Sequence, residues 1–361
     1  MSHPVYRQLL EVMKKRGGQP FTATDIPEFF AMMEVMFTPQ EAEVNNAMPR
    51  GPFTAQDLAK AMGRESAEIE ALLEGMADKG LCMAVHMGGA TYYQCAQLMP
   101  GILEFQFMPG RSSARDKQLA QLIHAYKKAF ALKHDMTVPA FPTNRVITVD
   151  RTVAADNRVH TYDQVQSLID RNEQIAVTTC YCRHAAVLRG EDIHGMPNDV
   201  CMMFGMAAQF AMERMNGRKV SKPEARAVLE RAEEAGLIHM STNMTEDIGF
   251  LCNCDRWHCV VVTHALAKAK PALFFNSGFQ PRFDAEKCTA CETCIERCPA
   301  TALTMGADEL PAVDLDRCFG CAVCATGCPA EAIAMVNRPG FAEPPKDGKA
   351  LKEALVAATR G

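Results

Sequence analysis

At 361 residues, 48% of them hydrophobic, the chain has material for roughly two or three domains, each with its own core. A formal net charge of −5 gives no general attraction to nucleic acid. No apolar run reaches the roughly 18 residues that a membrane-spanning helix needs, and Met1-Ser2-His3-Pro4 leads into no apolar segment of a secretory signal. Sixteen cysteines in a chain read as leaderless point to metal and reduced thiols, hence to a cytoplasmic, anaerobic setting. Most of the twenty-three methionines are read as soft core filler.

Residues 4–16 and 25–36 place apolar side chains at helical spacing. Thr54 is the expected N-cap of a helix that Gly63 breaks. Ser66 is expected to cap a second helix running to about Lys79, with Ile69, Leu72, Leu73 and Met76 on one face and Gly80 as its stop. Two strands, Leu81–His86 and Thr91–Cys95, follow around a glycine turn. Helix, turn, helix and hairpin together resemble a winged helix over 1–100. The second helix carries Glu65, Glu68, Glu70, Glu74 and Asp78, the wrong sign for phosphate neutralisation. A protein-interaction module is therefore expected, and no nucleic-acid partner. Cys82 and Cys95 face each other across the hairpin as buried small apolar residues.

Residues 101–145 read as a helical connector, with a helix over Ser112–Lys133. The stretch 146–280 reads as an α/β domain holding six cysteines. A strand at Ile175–Thr179 delivers Cys180 and Cys182. Cys201 is expected to open a helix from Met202 to Met215. Ser221-Lys222-Pro223-Glu224 has the capping-box pattern for a helix to about Ala235. A strand at Leu237–Met240 leads toward Cys252, Cys254 and Cys259. Strand ends and helix starts thus bring three separated cysteine groups toward one place.

Residues 288–298 read C-T-A-C-E-T-C-I-E-R-C and 318–328 read C-F-G-C-A-V-C-A-T-G-C, each followed by proline. This is C-x2-C-x2-C-x3-C-P twice, the ligand spacing of a two-cluster iron–sulfur domain. Three closely set thiolates wrap one face of a cubane, and the x3 step swings the fourth cysteine away. Zinc would ask for two cysteine pairs or a Cys/His mixture, and disulfides for an oxidising compartment. Short helices at Ala300–Leu303 and Ala330–Ile333, and strands at Ala312–Leu315 and Ala334–Val336, make 281–338 an internal duplication. Five basic residues against nine acidic ones give it an acidic surface suited to a basic docking partner. A tail, 339–361, contains a helix-like Lys349–Ala358.

The duplicated segment resembles two-cluster bacterial ferredoxins. The resemblance implies two [4Fe-4S] clusters in which the last cysteine of each run serves the other cluster. Cys288, Cys291, Cys294 and Cys328 then hold one, and Cys318, Cys321, Cys324 and Cys298 the other. The whole order of motifs adds C-x-C-R, a lone cysteine before a Met/Phe-Gly helix, an S-K-x-E-A helix ending E-E-A-G-L, and C-N-C. It is similar to a family of fused iron–sulfur proteins found with anaerobic redox complexes. Relatives show a denser cysteine run after C-N-C, where this chain has Asp255, Arg256, Trp257 and His258 before Cys259.

The expectation is an α+β multidomain protein with a winged-helix-like N-terminal domain, an α/β cysteine-containing middle domain and a bacterial dicluster ferredoxin fold at the C-terminal end. Its function would be electron transfer to or from a redox partner protein in an oxidoreductase complex. A third iron–sulfur centre, with zinc as the alternative, would use Cys182, Cys201, Cys254 and Cys259, with Cys180 and Cys252 as alternative ligands. His184 and His258 would ligate or donate to a sulfur. Two other readings stay open: an oxidoreductase with its own substrate site at the central cysteines, and a redox-sensing regulator acting through the winged helix.

Overall fold

The computed structural model describes residues 3–17, 22–134, 139–155 and 165–358. It divides into two compact units whose boundaries weave through the sequence. The first unit takes Met1–Met136, Thr178–Asp192 and Ala208–Arg218; the second takes Thr137–Val177, Ile193–Ala207 and Lys219–Gly361. Among the described residues no helix is long and apolar enough to cross a membrane.

The first unit is built on helices whose ends the sequence marks clearly. Thr54 and Asp57 form a reciprocal capping box at the start of the helix Ala55–Met62, and Gly63 ends it in the left-handed conformation. Ser113 and Asp116 do the same for the twenty-residue helix Ala114–Lys133. Ser66 does not cap the next helix: it is the first helical residue of Ser66–Asp78, and Glu65 holds the cap position without a side-chain cap hydrogen bond. The strands Cys82–Met87 and Ala90–Cys95 pair in a register that sets Cys82 opposite Cys95. Phe29, fully buried, lies against Phe30 and Tyr126 at ring-centroid distances of 5.6 and 6.0 Å.

One polar network of this unit has a pH signature. Arg214 donates to Glu74 (2.6 Å) and Asp78 (2.7 Å), and the Tyr93 hydroxyl donates to Glu74 at 2.5 Å. Burial works to raise the Glu74 carboxyl, but the hydrogen bonds from Tyr93 and Arg214 and the Arg214 charge hold it below the ordinary carboxylate value. A depressed carboxylate contributes stability above its unfolded pKa, and that contribution fades as pH falls through the folded value. Arg214→Gln is expected to lower stability by up to about 1 kcal/mol at pH 7, because the pair is partly exposed. In thermal unfolding from pH 7 to pH 3 the gap between wild type and variant should close as Glu74 protonates in both.

A seven-stranded mixed sheet runs in the order Arg218–Lys219, Ile175–Thr178, Cys201–Phe204, Phe250–Cys254, Ile238–Thr242, Asn144–Val146, Phe275–Asn276. The helix expected to open at Cys201 is corrected here. Cys201–Phe204 is a strand, pairing Met202 with Leu251 and Met203 with Phe250, and the helix starts only at Gly205, whose positive φ turns the chain. A four-residue apolar run reads equally as strand or buried helix, and only the distant partner strand decides. The helix Lys222–Glu234 has the expected Ser221/Glu224 capping box.

Beyond the sheet, Phe279–Phe283 pairs with Ile333–Asn337, and Leu303–Met305 with Pro311–Val313. The short helices of this segment are Thr293–Arg297 and Val323–Thr326, each just before the last cysteine of its run. Those expected at Ala300–Leu303 and Ala330–Ile333 are absent from these described stretches. Thr301 and Glu331 adopt φ of 49° and 48°, which ends any helix after Pro299 and Pro329. The C-terminal helix runs Gly348–Ala358, and residues 359–361 lie outside the described part.

Candidate functional site

The two cysteine runs build two cavities. Cys288, Cys291, Cys294 and Cys328 line one. Cys298, Cys318, Cys321 and Cys324 line the other. Each cavity therefore draws three cysteines from one run and the last cysteine of the other. The backbone repeats with them: Ala290 and Gly320, Glu292 and Ala322, and Thr301 and Glu331 all have positive φ at a spacing of thirty residues. Alternating hands of backbone turn successive N–H groups inward, which makes an anion-binding nest. Ala302 N–H donates to Cys298 Sγ and Ala332 N–H to Cys328 Sγ, both at 3.3 Å, and Gly320 N–H donates to Cys318 Sγ at 3.4 Å.

Four thiols around a largely apolar hollow, with amides aimed at sulfur, fit a cubane iron–sulfur cluster. Among the described residues no three His, Cys, Asp or Glu side chains converge closely enough for a single metal ion. A cubane asks for something else, since its four thiolates stand around a body rather than a point.

The cysteines of the two cavities differ in exposure, although each set has buried members, Cys294 among the outer four. Cys291 is exposed, and hydrogen bonds from Thr293 and Thr289 bring its thiol below the usual value, with Thr293 Oγ1 lying 3.4 Å from the sulfur. Cys318 and Cys324 are buried, and burial pushes both thiols up, against the Gly320 amide and the Arg338 charge at Cys318. Phe319 lines this second cavity at 1% exposure, whereas its counterpart thirty residues earlier, Thr289, is exposed.

The central cysteines are placed as follows. Cys180 is the buried N-cap residue of the helix Tyr181–Leu188, and Cys182 is half-buried in its first turn; both belong to the first unit. His184 of that helix has Nε2 2.7 Å from the Arg111 carbonyl, so it is held by backbone. Cys201, Cys252, Cys254 and Cys259 belong to the second unit. The strand register extends to set Cys201 across from Cys252, and two-residue alternation keeps Cys254 on the same face. Cys259, the N-cap residue of Val260–Leu266, brings its thiol to Cys254, which also hydrogen-bonds Cys252. These mutual thiol contacts, followed by burial, push Cys254 up. His258 Nδ1 lies 3.5 Å from Asp255 Oδ1.

Cys254 and Cys259 share one apolar cluster with Cys294, Cys298, Cys318 and Cys324. Arg256, in the loop between Cys254 and Cys259, donates through Nη1 to the Cys298 carbonyl at 3.2 Å. Behind the sheet face, buried His239 has Nδ1 2.5 Å from Asn253 Oδ1 and Nε2 3.4 Å from Glu233, which also pairs with Arg151. Sequence reasoning gave Arg256 and Arg338 no role at the site and passed over Thr293. Only Thr293 left a signal there, as a hydroxyl two residues from a ligand-spaced cysteine.

Comparison with curated proteins gives no match. Residues 277–335 match the family model described as 4Fe-4S dicluster domain, so this part of the chain is a ferredoxin-type dicluster domain and indicates iron–sulfur electron transfer.

Proposed function

We propose that the chain is an electron-transfer subunit that relays electrons between a partner oxidoreductase and its own central cysteine site, in a reducing cytoplasmic setting. The observation that carries this is the packing of Cys254 and Cys259 into the same apolar cluster as the dicluster cysteines. The clusters supply one-electron storage and transfer. Cys288, Cys291, Cys294 and Cys328 hold the outer one; Cys298, Cys318, Cys321 and Cys324 hold the inner one. Three of the four inner cysteines are buried, and the outer set is exposed at Cys291, where a partner docks. For a third iron–sulfur centre, Cys201, Cys254 and Cys259 are the common ligands. Cys252 supplies the fourth from the same sheet face.

The N-terminal helix pair and hairpin serve as a winged-helix-like interaction module. Supporting a protein partner over DNA, Glu74 and Asp78 of its second helix are engaged by Arg214, and Arg64 by Glu43 and Glu68.

Anaerobic iron and acid-labile sulfide analysis tests the reading. Two cubanes give about eight irons per chain and three give about twelve. Cys254→Ser is expected to remove about four irons while the dicluster EPR signals remain. An unchanged iron count eliminates the central centre, and iron below about four per chain eliminates the relay. Cys252→Ser in the same assay tests the fourth ligand.

A further inference from the structure

The dicluster domain repeats its positive-φ turns at a spacing of thirty residues, and several of its departures from repetition change charge. The residue before the first cysteine is Lys287 in one half and Arg317 in the other. Lys287 is 61% exposed and 3.9 Å from Asp284. Arg317 reaches inward, donating to the Ala300 carbonyl at 3.1 Å and to Thr301 Oγ1 at 2.9 Å. The residue before the exchanged cysteine is Gly327 for the outer cavity and Arg297 for the inner one. Arg297 spans from the inner site to the Glu233 and Glu234 carbonyls at 3.1 and 3.3 Å.

Twenty residues beyond the first cysteine stand Asp308 and Arg338. Arg338 donates to the Cys318 carbonyl at 3.1 Å and to the Leu315 carbonyl. Arg256, from outside the repeat, donates to the Cys298 carbonyl at 3.2 Å. Two of the four inner cysteines thus carry a guanidinium on their own peptide group.

Acids follow the opposite trend. Glu292, Glu296 and Glu331 on the outer side correspond to Ala322, Thr326 and Thr301 on the inner. Asp284 and Glu286 are matched by Asp314 and Asp316 and cancel in the comparison. Arg282, exposed on the outer side, is the exception. Near Arg256, Asp255 is a buried acid whose carboxylate accepts the Trp257 and His258 amides.

Reduction adds a negative charge, so neighbouring positive charge favours it and neighbouring negative charge opposes it. Burial of the inner site opposes reduction too, but the same low dielectric strengthens each arginine's field. We propose that Arg256 and Arg338 raise the reduction potential of the centre held by Cys298, Cys318, Cys321 and Cys324 above that of the centre held by Cys288, Cys291, Cys294 and Cys328. Electrons that enter at the exposed Cys291 edge then settle on the inner centre, beside Cys254 and Cys259, and flow runs inward. This inference rests on the relay reading above and adds its direction.

The test is an EPR-monitored redox titration of the full-length chain, reconstituted anaerobically, with iron content measured on every sample. Wild type is expected to show two one-electron waves from the dicluster domain at distinct midpoints, told apart from any wave of the central site because they persist in Cys254→Ser. Arg338→Gln and Arg256→Gln should each lower only the upper wave, by about tenfold in the reduction equilibrium, or about 59 mV for a one-electron couple. Arg338→Lys, which keeps the charge, should retain most of the wild-type position. Glu292→Gln should raise only the lower wave. Coincident wild-type waves, an upper wave that neither glutamine variant moves, or a glutamine variant that shifts the lower wave would each overturn the proposal while leaving the relay intact. A wild-type chain without bound iron would instead remove the relay itself, and this inference with it. If Arg338→Gln loses iron, Arg256→Gln decides alone, because Arg256 lies outside the repeat.

Discussion

Gly320→Ala is expected to empty the inner site, with the loss of about four irons per chain and a destabilisation of about 3 kcal/mol, combining a left-handed alanine with a steric clash. Gly320 has φ +64°, and a Cβ there would sit 2.3 Å from the Phe279 carbonyl oxygen and 2.3 Å from Ser277 Oγ. Ser277 can rotate its hydroxyl away. Phe279 cannot yield, because its strand is hydrogen-bonded to Ile333–Asn337. Retreat of the loop would also withdraw the Gly320 amide from Cys318 Sγ and strain the 2.7 Å hydrogen bond from Thr148 Oγ1 to the Gly320 carbonyl.

The equivalent position of the outer loop supplies the control. Ala290 already carries a Cβ at φ 52°, so the backbone conformation alone is tolerable. Ala290→Gly should leave the iron count unchanged. If Gly320→Ala keeps full iron, the close approach of Phe279 is not what demands glycine.

Phe319→Ala is expected to cost about 3–5 kcal/mol, the range for truncating a buried phenylalanine. The side chain is 1% exposed and meets Phe275 edge-to-face at 4.7 Å between ring centroids. It lies in the cluster that also contains Val146, Phe274, Cys254 and Cys298. Its removal leaves a hollow against the inner cavity and thins the wall between that cavity and water. Differential scanning calorimetry should show the unfolding midpoint falling by roughly 10 °C. Iron–sulfur absorbance should bleach faster in air. Phe319→Leu should recover most of both losses because it keeps the wall apolar and nearly filled. A variant as stable as wild type would mean that the loop, rather than this ring, seals the site.

The dicluster runs were legible because ligand spacing is a local property: four thiols on one short loop and its exchanged neighbour must obey the size of the cube. Capping boxes at Thr54, Ser113 and Ser221 were legible for the same reason, since donor and acceptor lie three residues apart. Ser66 misled because a capping residue counts only where the backbone places it outside the first turn, a shift of one residue. The short helices of the repeat were misplaced because Thr301 and Glu331 give no sign of a left-handed backbone in their side chains.

What lay beyond sequence reading is non-local. Whether Cys201 starts a helix or sits in a strand is decided by a partner strand some fifty residues away, and with it which cysteines share a face with Cys254. Arg256 and Cys298 are 42 residues apart, and nothing in either segment announces that one donates to the other. Sequence alone determined that this chain carries eight cysteines at iron–sulfur spacing, because the chemistry of the cube is written in consecutive residues. Only the tertiary structure decided which cavity holds more of its cysteines buried, which cysteines carry arginines on their carbonyls, and which central thiols meet. Burial and charge proximity depend on what folds against a residue, not on what precedes it.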